Sequence, residues 1–266
     1  MTDPETYEVF ALRYASRDAR SHHHFIGGDP HNKPMPMDYF VWVVRSPERV
    51  FVVDTGFGEA EAKERDRKLL HRPASLLKKL DIDAAKVEDV IITHLHYDHA
   101  GTLDDFPKAR FHLQDSEIAF ATGRQMCCEI FRHAYSVEDI VGMVRRVHAG
   151  RVQFHEGDSE IAPGVSLHHI GGHTRGMQVV RVRTARGWVV LASDASHFYA
   201  NMEEIRPFPI VDHMGAMVEG YATLRRLAES PRHIIPGHDP LVTELYPAHH
   251  EDLSQEILRL DLPPKD

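Results

Sequence analysis

Chemistry is most concentrated in this 266-residue chain at Thr93-His94-Leu95-His96-Tyr97-Asp98-His99, where three histidines and an aspartate fall within six residues. Imidazole and carboxylate are side chains that zinc and other divalent ions accept as ligands. The segment follows Val90-Ile91-Ile92, a short apolar run expected to form a buried strand. On an extended strand end, side chains at i and i+2 point the same way, so His94 and His96 share a direction. Asp98 and His99 come just after, where a turn or helix start aims them elsewhere. One short segment can thus supply ligands to two neighbouring ions.

Three residues downstream match it in kind and position. His173 stands in Gly171-Gly172-His173-Thr174, after the apolar stretch 165–170. Asp194 stands in Ala192-Ser193-Asp194-Ala195, after Trp188-Val189-Val190-Leu191. His238 stands in Pro236-Gly237-His238-Asp239, after His233-Ile234-Ile235. Each lies at an expected strand end beside small residues, and glycine there lets the backbone come close to an ion. Strand ends on one rim are a natural place for a site to converge. Isolated histidines such as His71, His112, His133, His148, His155, His168 and His169 read as ordinary core or surface residues.

The elements that must position these residues alternate in type. Strand content falls at 7–15, 39–45, 50–53, 90–93, 111–113, 151–155, 165–170, 178–183, 187–192 and 233–236. Helical patterning falls at 59–80, over most of 115–148, at 214–228 and once within 248–266. Two groups of strands with helices between and after them imply an α/β sandwich, two mixed sheets covered by helices in an αββα order. The Gly-, Pro- and His-rich stretch 21–38 is expected to be an active-site loop, since long loops in compact domains are often functional. It and the helical insertion 115–148 are expected to wall the pocket of a single domain spanning 1–266.

Composition narrows the function classes. The 42% hydrophobic content supports a sizeable core, and the formal net charge of -9 removes the global basic field that nucleic-acid binding favours. Two adjacent cysteines, Cys127 and Cys128, read as packing residues rather than a disulfide framework, which favours a reducing compartment. With neither a signal-peptide pattern nor an apolar run of membrane-spanning length, a cytoplasmic protein with no membrane partner is expected. The expected partner is a small-molecule substrate, with a homodimer as the assembly most frequent among soluble oligomers.

The ordered set His-x-His-x-Asp-His, Gly-His, Asp after a strand and a last Gly-His resembles the metallo-β-lactamase fold superfamily, over about residues 50–240. Asp54-Thr55-Gly56 matches that family's early turn, which supports the site without coordinating. The resemblance implies that His94, His96 and His173 hold one metal, that Asp98, His99 and His238 hold a second, and that Asp194 bridges both. The implied cofactors are two divalent ions, zinc first, although iron, manganese or cobalt suit the same ligands. Two such ions lower the pKa of a shared water, so the expected nucleophile is a bridging hydroxide. No Gly-x-Ser-x-Gly elbow is present to offer a serine instead. Asp98 is the expected proton carrier to the leaving oxygen.

Within the superfamily the chain is most similar to the N-acyl homoserine lactonases, through Val53-Asp54-Thr55-Gly56, Ile92 to Gly101, Phe106-Pro107-Lys108-Ala109 and Asp194-Ala195-Ser196. Those enzymes open a five-membered lactone and carry a tyrosine three residues after the bridging aspartate. Here that place holds His197, with Tyr199 two residues on, so these two are the candidates to meet the substrate oxyanion. Arg175, beside His173, offers either a contact to an anionic substrate group or a surface charge. The competing activity on the same metal site is hydrolysis of a cyclic amide or imide, a thioester or an aryl ether. Flavodiiron relatives need a glutamate ligand and a flavin domain, and this sequence matches neither requirement.

Overall fold

The computed structural model describes residues 5–265, so the expected domain bounds at 1 and 266 lie outside the described residues. Its strands are, in chain order, β1 (Glu8–Arg17), β2 (Met37–Arg45), β3 (Val50–Val53), β4 (Lys68–Leu69), β5 (Asp89–Ile91), β6 (Arg110–Gln114), β7 (Val152–His155), β8 (Ser159–Ala162), β9 (Val165–His169), β10 (Gln178–Thr184), β11 (Gly187–Ser193), β12 (Ile234–Pro236) and β13 (Ile257–Arg259). One sheet runs β13-β1-β2-β3-β5-β6-β7, with β4 also paired to β1; the other runs β12-β11-β10-β9-β8. Both are mixed. In the first, pairing is antiparallel as far as β3 and parallel from β3 to β7. In the second, only β11 and β12 are parallel.

Alternation of side chains explains the layering. In β1, Val9 and Ala11 face a core shared by the two sheets, while Phe10, Leu12 and Tyr14 face a separate core under the helices. In β11, Val189 and Leu191 enter the shared core, and Val190 and Ala192 pack outward with Met217, Tyr221 and Leu224 of the helix Met214–Leu227. Each sheet thus buries both faces, and the layers stack as helix, sheet, sheet, helix. No helix among the described residues is long and apolar enough to cross a membrane.

Three expectations need correction, and one strand was not expected. The stretch 59–80 is two short helices, Glu59–Glu64 and Pro73–Lys78, not one. The chain turns at Asp66, whose φ is +53°, and Lys68-Leu69 pairs with β1. Pro73 lacks an N–H and so starts a helix rather than continuing one. The C-terminal segment holds a single 3-10 turn, Glu251–Leu253, and then β13, because the apolar Ile257 and Leu258 fill the core while their backbone covers the free edge of β1. The strand β8 had no expectation; its Ser159-Glu160-Ile161-Ala162 sequence lacks a buried-strand apolar run. Finally, Cys127 and Cys128 are free and exposed rather than packed.

Candidate metal centre

Four strand ends meet on one rim of the sandwich. The loop after β5 carries the hexad, and a four-residue helix, Tyr97–Ala100, redirects Asp98 and His99 away from His94 and His96. The loops after β9, β11 and β12 deliver His173, Asp194 and His238. Two glycines permit this approach. Gly172 has φ +84°, and a Cβ there would lie 2.6 Å from the Met217 backbone. A Cβ on Gly237 would lie 2.7 Å from an Asp194 carboxylate oxygen.

The inward atoms form two clusters. His94 Nε2, His96 Nδ1 and His173 Nε2 make a triangle with sides of 3.0, 2.9 and 3.2 Å. Two ligands each about 2.0–2.1 Å from a tetrahedral zinc lie roughly 3.3 Å apart, so the triangle has the size such an ion demands. Beside it, His99 Nε2 and His238 Nε2 lie 3.7 and 3.8 Å from Asp98 Oδ2. Asp194 belongs to both clusters: its Oδ1 is 3.3 Å from His99 and 3.1 Å from His238, and its Oδ2 is 3.3 Å from His173. All seven side chains are buried.

The hydrogen bonding shows what the clusters are built for. His99 donates from Nδ1 to Asp54 Oδ2 at 2.7 Å, His173 to the Ile210 carbonyl at 2.7 Å, and His238 to the Asp38 carbonyl at 2.9 Å. Those bonds place the proton on the outer nitrogen and leave the inner one as a lone pair. His99 Nε2 and Asp194 Oδ1 are buried with no hydrogen-bond partner. An orphaned imidazole nitrogen facing an orphaned carboxylate oxygen is costly in a folded protein, and a divalent cation satisfies both. Burial, together with the neighbouring His99 and His96, holds the His94 pKa well below its ordinary value; burial and His173 do the same for His96. Both rings are therefore neutral and ready to ligate. Burial opposes charge on Asp194, yet His238, His197 and His99 outweigh it and keep the carboxylate ionised.

Supporting residues come from several elements. Asp54, at φ +62°, also accepts from the Thr93 N–H at 2.7 Å and the Thr93 hydroxyl at 2.8 Å. Glu117, on the helix Asp115–Ala121, belongs to no motif of the sequence. It is fully buried and accepts from Leu95 N–H at 2.9 Å, Gly176 N–H at 2.9 Å and the Thr174 hydroxyl at 2.7 Å. It thereby ties the loop of His96 to the loop of His173.

The clusters form the floor of a cleft of about 320 Å³. His23 and His24 from one loop, Met37 at the start of β2, His133 and Ala134 from the helical insertion, and Phe208 to Ile210 form walls. Asp98 and His197 also face the cleft. His197, however, commits Nε2 to Asp194 Oδ2 at 2.8 Å and stacks on Phe208 at 3.5 Å between centroids, so that nitrogen is not free for a substrate oxygen. Tyr199 is not in the cleft. It opens the helix Tyr199–Glu203 and lines a separate cavity with Tyr246 and Leu241, which corrects its expected contact with substrate. Arg175 is a half-exposed ion pair with Asp212 at 3.4 Å, also outside the cleft. His133, read from sequence as an ordinary histidine, lines it, as do Arg17, Tyr39, Arg65 and Arg67.

Comparison with known proteins agrees with this geometry. Residues 35–238 match the family described as the Metallo-beta-lactamase superfamily. A probable metallo-hydrolase of Mycobacterium tuberculosis is 26% identical over 245 residues, covering 81% of this chain and 75% of the relative. An N-acyl homoserine lactonase of Bacillus thuringiensis is 26% identical over 226 residues, covering 78% of this chain and 83% of the relative. Among solved structures, a quorum-quenching N-acyl homoserine lactone lactonase superposes with a TM-score of 0.74 at 23% identity, over 89% of this chain and 94% of that one. A dizinc quorum-quenching lactonase superposes with a TM-score of 0.69 at 16% identity, over 90% and 89%. A buried histidine and aspartate cluster at the strand ends of an αββα sandwich, inside a matched segment covering most of the chain, places this protein in the metallo-β-lactamase superfamily, as a metal-dependent hydrolase.

Proposed function

We propose that the protein opens a lactone ring, of the N-acyl homoserine lactone type, at a dinuclear metal centre. The observation that carries the reading is Asp194, one carboxylate whose two oxygens serve two separate ligand clusters. His94, His96 and His173 would hold one divalent ion, and Asp98, His99 and His238 the other. When bound, such a pair supplies Lewis acidity and an acidified water at neutral pH. Resemblance to lactonases over most of the chain supports the substrate class.

The protein's own groups then have distinct tasks. Asp98 reaches the cleft floor, where its carboxylate can carry a proton to the alkoxide that leaves when the ring opens. His197 is a positioning residue: its hydrogen bond holds Asp194 in one rotamer, and Phe208 braces its ring. Phe208, Met37 and Ala134 exclude water from the walls, which strengthens every charge interaction inside. We read the two sheets and their shared core as one folding unit, since Val9, Trp42, Val180 and Leu191 pack into a single cluster.

The test is a panel of short- and long-chain acyl homoserine lactones beside simple lactones, cyclic imides and thioesters, with acid release measured. Lactone opening that disappears on chelation is expected. Turnover of an imide or thioester with no lactone opened would overturn the proposal.

A further inference from the structure

The cleft contains two cations for which the ring-opening reaction has no evident use. β4 pairs antiparallel with β1 as Ala15↔Leu69 and Ser16↔Lys68. Arg17 and Arg67 flank that pairing, one residue after Ser16 and one residue before Lys68. Both arginines line the metal cleft. Arg65, which lines it too, is neutralised by Glu61 at 2.6 Å. Arg17 and Arg67 have no carboxylate partner within 4.0 Å among the described residues, although Arg13, Arg45, Arg49 and Arg72 of the same half of the molecule do.

Neutral donors complete the group. Arg67 donates from Nε to the Tyr97 hydroxyl at 3.0 Å, and that hydroxyl lies 3.5 Å from the Tyr39 hydroxyl. The Tyr39 ring packs edge-on against the metal-centre ring of His238, 5.0 Å between centroids. Through Tyr97 and Tyr39, Arg67 is thus linked to the metal cluster, and Arg17 lines the same cleft. Arg67 also donates from Nη1 to the Arg65 and Asp66 carbonyls, which leaves its remaining nitrogen and the Arg17 guanidinium as cationic donors on the cleft wall, the groups that an anion of a ligand pairs with.

We propose that Arg17 and Arg67 form an anion subsite, and that the physiological substrate is a compact lactone whose side group ends in a carboxylate or a similar oxyanion. The identity of the scissile bond rests on the function proposed above; the subsite does not. A cleft of about 320 Å³ has room for a lactone ring with a short charged group.

The experiment compares N-succinyl homoserine lactone with its methyl ester, which keeps the skeleton and removes the charge. In the parent protein, kcat/KM for the charged lactone should exceed that for the ester by about tenfold, as expected for a hydrogen-bonded ion pair, and the excess should shrink with added salt. In R17M/R67M the ratio should fall close to one, chiefly through KM, while R17K/R67K keeps part of the preference. A ratio near one in the parent, or one unchanged in R17M/R67M, would overturn the proposal. If neither lactone is opened, thermal midpoints of the chelated protein titrated with glutarate decide the matter. A midpoint raised in the parent but not in R17M/R67M supports the subsite and rejects the lactone reading alone. No rise in the parent rejects the subsite.

Discussion

At the scale of single residues, the site is held by side chains that never touch substrate. Glu117 is the clearest: burial pushes its pKa up, against the pull of Thr174, Leu95 and Gly176, and its bonds join two ligand loops. Glu117→Ala leaves two buried N–H groups without acceptors, so we expect a loss of roughly 3 kcal/mol in stability. The same variant should retain less metal after dialysis, measured by elemental analysis alongside chemical unfolding. The seven metal-ligand candidates were legible because ligand types recur at fixed spacings after apolar runs. Glu117, Arg17 and Arg67 were not, because their meaning depends on which distant segment folds against them. Tyr199 misled for a related reason. It stands two residues beyond the place of the family's tyrosine, which His197 holds, and the helix it opens sets it beside Tyr246 in a separate cavity.

At the scale of elements, long apolar strands were readable and short ones were not. β2, β10 and β11 carry enough consecutive Val, Leu and aromatic residues to declare themselves. β4 and β13 are two or three residues long and exist because β1 offers an edge to pair with. A helical period across 59–80 therefore gave way to a tertiary demand, and that break is what brings Arg67 to the cleft. The helix Val137–His148 carries a pH-dependent term of its own. Burial, with the nearby Glu61, raises the Asp139 pKa to about 7, and one of its oxygens has no partner. An unfolded aspartate titrates near about 3.9, so the folded state binds more protons between roughly pH 4 and pH 7. Stability from this residue is thus full below that window and is lost as pH rises through it. Asp139→Asn should raise the thermal midpoint at pH 8, by roughly 1 kcal/mol or more of stability, and do little at pH 4. An equal gain at both values would remove Asp139 ionisation as the cause.

At the scale of the whole molecule, two sheets packed through one core place four strand ends on a common rim, and the metal centre sits there because no single element could build it. The layered αββα architecture was visible from the alternation of strand and helix patterns, since each sheet must cover both faces. The cleft's charge was not visible, because net charge averages over the surface and conceals a local pair of arginines. On the proposed reading, seven ligand groups drawn from residues 94 to 238 would make folding of the site and binding of its ions thermodynamically linked. The most direct test is the metal content of the purified chain, beside that of Asp194→Ala. The dinuclear account requires two divalent ions per chain in the parent, removed together with hydrolytic activity by a chelator and both restored on adding metal back. It also requires the Asp194→Ala chain, with neither cluster complete, to hold fewer than two. A parent chain with no bound divalent ion, or with activity indifferent to its removal, would contradict the account.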